Sequence, residues 1–142
     1  VGDLETGGFA RVLQAVTVLV AMGQVAPALP AEGDVARAAS TTAFNRAVME
    51  RARFSGDLSS LASPVTGGGI GVPRFEQLFL LAAERGADPA EFAWQTLSAQ
   101  GQRLVREGKT LETAEDNLSE LQTRAAAFKK HTRPLLEQLG IA

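Results

Sequence analysis

The sequence predicts a mainly α protein: five to six helices in an orthogonal bundle, built as one domain over residues 1–142 with at most a minor β element. Three observations predict it. Apolar residues recur at three- and four-residue spacing in several stretches, the signature of helices with one buried face. Glycines and Asp-Pro or Pro starts punctuate those stretches at helix-like intervals. The one stretch tested as a strand, Leu58 to Ser63, is a poor one.

In chain order, Phe9, Val12, Leu13, Val16, Leu19 and Val20 form the first stripe. Thr6 stands where an N-cap belongs and Gly23 where a helix ends. Gln24-Val25-Ala26-Pro27 then reads as a short extended segment. Helix, glycine and short strand is how a winged-helix module enters its first wing, which leaves room for a winged-helix-like start. Pro30 to Asp34 is a polar turn. A second helical region runs from Val35 to Phe54, with Ala39, Ala43, Ala47 and Val48 expected inward. Ser40-Thr41-Thr42 lowers helix propensity and is a place to split it, Thr41 or Thr42 capping a helix from Ala43. Arg46, Arg51 and Arg53 share this element with Glu50 and read as a solvated face.

Gly56 ends that region, and the most distinctive segment comes next. Gly67-Gly68-Gly69-Ile70-Gly71 is a loop with little steric restriction, and it runs through Pro73 into a helix carrying Phe75, Leu78, Phe79 and Ala82. Gly86 closes that helix. Asp88-Pro89 starts another, expected to reach Glu107 with Phe92, Ala93, Thr96, Leu97, Leu104 and Val105 inward; Gly101 is its weak spot and Gly108 its end. Thr113-Ala114-Glu115-Asp116 resembles a capping box before Leu118, Leu121, Ala125 and Phe128. Pro134 should kink or break that helix near Lys130 to Thr132. A last short helix runs from Pro134 to Leu139, and Gly140 stops it.

Composition narrows the function classes. Hydrophobic residues make up 45% and charged residues 21%, an ordinary globular balance. A net charge of −2 offers no electrostatic argument for nucleic acid. There is no cysteine and one histidine, so disulfides, thiolate chemistry and a zinc site find no ligands. Leu13 to Met22 is apolar, yet Asp3 and Glu5 precede it and a basic leader is missing. The run is too short and interrupted for a membrane span, so the expectation is a cytoplasmic protein with no membrane contact. The eleven arginines against three lysines read as coding bias. Val1 without a Met suggests a piece of a longer protein.

Catalytic constellations fail when tested. The glycine loop lacks the Lys and Ser/Thr of the phosphate loop, and Gly67, Gly69 and Gly71 have the wrong phase for the dinucleotide motif. A structural loop packed against a partner domain is the stronger reading. His131 sits among Lys129, Lys130 and Arg133, with no acidic motif beside it to orient it for catalysis. Ser63 lacks the nucleophile elbow. Glu76 and Glu84, eight residues apart, share part of a helix face without metal-ligand company.

Several segments together resemble one family. They are Val12 to Ala28, Leu61 to Ile70 with its run into Leu81, Gln100 to Lys109 with Leu111 to Asn117, and the close on Leu136 to Ile141. They are similar to the C-terminal part of bacterial S-adenosylmethionine-dependent methyltransferases that carry a methyltransferase regulatory domain. Rickettsial outer-membrane-protein lysine methyltransferases share the layout. The resemblance implies an upstream doubly wound α/β core that holds the S-adenosylmethionine. It carries no catalytic, cofactor-binding or metal residue onto this chain. It implies a non-catalytic accessory or regulatory domain that contacts the core or a protein substrate, and leaves room for oligomers. The candidate contact residues are Gly67, Gly68, Gly69, Arg74, Phe75, Phe79 and Trp94. The alternatives are a winged-helix-like DNA-binding regulator, and a small enzyme that holds a nucleotide at the glycine loop.

Overall fold

The computed structural model describes residues 8–25 and 27–142. Among them the chain is mainly helical. The helices are α1 (Gly8–Ala21), α2 (Asp34–Ala52), α3 (Arg74–Glu84), α4 (Pro89–Ser98), α5 (Ala114–Ala127) and α6 (Arg133–Gln138). Two antiparallel hairpins interrupt them: β1 (Ser60–Ala62) with β2 (Gly69–Gly71), and β3 (Val105–Arg106) with β4 (Lys109–Thr110). The predicted fold class is therefore right, and its β element lies in the glycine loop and near Gly108. The stretch Leu58 to Ser63, read as a poor strand, is corrected: it holds β1, which forms by pairing with Gly69–Gly71 rather than from a strand pattern of its own. The described residues between Gln24 and Pro30 hold no strand. The N-cap expected at Thr6 lies outside the described residues. No helix among them is long and apolar enough to cross a membrane.

The core is built on α3. Leu78, Phe79, Leu81 and Ala82 are buried there, with Leu61 of β1, Val48, Met49 and Ala52 of α2, Ala93 and Leu97 of α4, Leu121 of α5 and Leu136 of α6. Phe79 meets Phe128 with ring centroids 5.7 Å apart in a tilted geometry, a favoured aromatic arrangement.

Four helices end alike. Gly23, Gly86, Gly101 and Gly140 take positive φ, and each donates three residues back while the next amide reaches five back, the double bond of a Schellman motif. At α4 the bonds run from Gly101 to Ser98 and from Gln102 to Leu97. The helix expected to reach Glu107 thus stops at Ser98. Beyond it the chain makes a tight hairpin turn at Glu107 and Gly108, both at positive φ, as its two-residue connection requires. Leu104 stays buried, but Val105 is 54% exposed.

The second helix is also corrected. α2 is continuous, because Ser40 and Thr41 turn their hydroxyls back onto the carbonyls of Ala36 and Arg37 instead of capping a new helix. Ala39, Ala43 and Ala47 are exposed, and the inward face is Asn45, Val48, Met49 and Ala52. The charges on and just after it are paired: Arg51 with Asp57, Arg46 with Glu84, and Glu50 with Arg53 and Arg85.

The remaining caps agree with the sequence. Asp88 accepts from the amide of Glu91 at 2.9 Å, and Thr113 from that of Asp116 at 3.0 Å. Pro134 lies behind a π-helical turn, Phe128–Thr132, that carries the chain from α5 into α6. The wider turn accommodates the bond Pro134 cannot donate.

Candidate functional site

The glycine loop is held by side chains from three directions. Asn45 reaches from α2 to β1, donating to the carbonyl of Ala62 at 2.8 Å and accepting its amide at 2.6 Å. Ser63 is buried at the turn. Its hydroxyl donates to the carbonyl of Leu139 at 2.8 Å and accepts the amides of Val65 and Thr66. Arg37 gathers three carbonyls, Pro64, Glu32 and Pro30, at 3.1, 2.8 and 2.6 Å. Leu29 donates its amide to Val65 at 2.7 Å and lays its side chain over Gly67. A Cβ on Gly67 would come 2.6 Å from Leu29 Cδ1, the movable end of a side chain, so it is the backbone at φ +69° that favours glycine there.

These anchors leave an apolar groove of about 780 Å³ between the first half of α2 and the hairpin. Leu29, Ala36, Phe44, Leu61, Pro64 and Gly67 to Gly69 line it. Phe44 is 55% exposed into solvent. The polar wall residues Ser40 and Thr41 spend their hydroxyl protons on their own helix. Loop amides are likewise used internally: Gly67 donates to Ser63 O and Gly68 to Thr66 Oγ1. A phosphate cradle needs such amides turned outward, so the loop is suited to an apolar occupant.

The other candidates fall elsewhere. Arg74 holds the end of α2, donating to Ala52 O at 2.7 Å and to Arg53 O at 3.4 Å, with Gln102 Oε1 at 2.8 Å. Burial pushes its pKa down from the ordinary arginine value. Phe79 is only 2% exposed and is part of the core. It offers a partner no surface, because its place on α3 faces the bundle. Trp94 is half-buried against the core. Phe75 is half-buried with the Arg124 guanidinium 5.3 Å over its ring. It lines a separate depression with Glu76, His131 and Thr132. There burial raises the Glu76 pKa, and a 3.4 Å hydrogen bond from Thr132 partly opposes that. Among the described residues no three acidic or histidine side chains group to hold a metal ion.

Sequence reasoning misses Leu29, Arg37, Phe44 and Asn45. Leu29 lies in a stretch without periodicity, and the other three meet the loop only in the fold.

The chain is 44% identical over 142 residues, 99% of its length, to an uncharacterized protein of the cyanobacterium Synechocystis sp.. It spans 28% of that relative's length. No family model matches the chain, and no solved structure matches it.

Proposed function

We propose that this chain is a non-catalytic accessory domain of a longer cytoplasmic methyltransferase that uses S-adenosylmethionine, and that it docks the catalytic core in the groove beside the glycine loop. The groove carries the reading. It is open and apolar, and it is built by dedicated anchors at Asn45, Ser63 and Arg37. Apolar concavities of this size receive ligands or partner segments. The 28% share of the Synechocystis relative supports a chain that works beside other domains. The resemblance to regulatory regions of methyltransferases supplies the identity of those domains.

The test begins with the reading frame that carries Val1. Its remaining segments, expressed separately, are expected to bind S-adenosylmethionine and to co-purify with this chain. Phe44→Asp should weaken that association by about tenfold or more, as loss of an apolar anchor does. Absence of association at high micromolar concentration overturns the docking. A partner that binds the chain but not S-adenosylmethionine overturns the methyltransferase assignment alone.

A further inference from the structure

α1 is the one α-helix among the described residues that gives nothing to the core. Its residues Phe9, Val12, Leu13, Val16, Leu19 and Val20 fall within an arc of about 120° at 3.6 residues per turn, and Arg11 and Gln14 lie opposite. A stripe of that width is the face a helix turns to a hydrophobic core. Yet α1 has no buried residue; Phe9 is 83% and Leu13 54% exposed. α2 to α6 each bury at least one apolar side chain. Thr17, at the stripe's edge, already donates its hydroxyl to Leu13 O at 2.8 Å. Covering the stripe therefore strands no polar proton.

We propose that α1 is a core helix of a neighbouring domain: its stripe packs on an apolar face of the longer polypeptide. The inference rests on the proposed membership of the chain in a longer protein, and the 28% coverage of the relative supplies ample polypeptide for the cover. The helix argues against the other occupants. A membrane-surface helix sets Lys and Arg along its polar face, and α1 has only Arg11. A coiled-coil seam with a second copy is signalled by about three to four heptads of apolar repeat, and the stripe from Phe9 to Val20 covers fewer than two.

Hydrogen exchange on two proteins tests this. In the 142-residue chain, the α1 amides are expected to exchange about a hundredfold or more faster than those of α3, at every protein concentration. In the full-length Synechocystis relative, the segment aligned with Gly8–Ala21 is expected to be protected like a core helix. Fast exchange in the full-length protein overturns the proposal. So does protection in the short chain. If that protection grows with concentration and the mass doubles, a second copy is the cover. If it persists in the monomer and Phe44→Asp removes it, the cover is the chain's own groove. Neither readout involves S-adenosylmethionine, so the methyltransferase assignment can fail while this stands.

Discussion

Asn45 is 2% exposed and pairs both polar atoms of its amide with the backbone of Ala62. Replacing it with Ala would leave a part-buried donor and a part-buried acceptor, the amide and carbonyl of Ala62, without partners. Each such loss costs roughly 1–3 kcal/mol, so Asn45→Ala is expected to lower the unfolding free energy by about 2–4 kcal/mol, read from urea denaturation. Asn45→Asp should not rescue it, because a carboxylate cannot donate to the Ala62 carbonyl. Glu76 makes the opposite kind of prediction. Its folded pKa is raised, chiefly by burial, so the folded state holds the proton more tightly than the unfolded chain. Stability from this group is therefore gained as pH falls through the window just above the ordinary glutamate value, and lost as pH rises through it. Glu76→Gln should flatten that part of the stability–pH curve and leave the protein no less stable at pH 7. Thermal melts across pH 4–7 would show it; an unchanged slope would sink the assignment. Neither residue is legible as such. Asn45 carries no local signal of its role, since the strand it holds lies 17 residues on. Arg74 reads as a contact because an arginine beside aromatics suits interfaces, and its real partners are the carbonyls ending α2.

At the scale of the element, local rules serve wherever the competing interactions are also local. Asp88 and Thr113 cap as expected, and Gly23, Gly86 and Gly140 stop their helices. Periodicity overextends α4 because Leu104 and Val105 continue an apolar pattern past Gly101, and pattern alone does not register that the chain has reversed. Ser40 and Thr41 read as a break because such residues compete for the backbone. Here they compete from within the helix, and α2 runs on to bury Met49 and Ala52. Two glycine ends with nearly the same φ separate backbone strain from contact. Gly101 sits at φ +65° with nothing within 4 Å of a built Cβ, whereas at Gly140 that Cβ would lie 2.7 Å from Pro64 Cγ. Gly101→Ala should therefore cost only the left-handed penalty, about 1–2 kcal/mol. Gly140→Ala should cost measurably more, since Pro64 Cγ belongs to a ring that cannot swing aside. Equal losses in chemical denaturation would mean that the chain end yields without cost.

For the whole molecule, the sequence tells that a face must be covered but not by what. The same periodicity marks Leu78 and Phe79 of α3 and Leu13 and Val16 of α1; the first pair is buried and the second exposed. Nothing in a 3.6-residue repeat tells an internal partner from an external one. The groove is half legible: its glycine wall stands out, while Leu29 and Phe44 carry no local signal of meeting it. This asymmetry gives a prediction about the 142-residue chain alone. Leu13→Ser with Leu19→Ser changes two large apolar residues in the stripe, yet it should shift the unfolding free energy by no more than about 0.5 kcal/mol per site, the range of surface substitutions. Leu61→Ala, at a fully buried position on β1, should cost about 2–5 kcal/mol. The double variant should also bind less of an apolar dye, because it removes surface that the isolated chain exposes. If the α1 pair destabilises as Leu61→Ala does, α1 already packs on this chain's own core, and the core closed by α2 to α6 is incomplete without it.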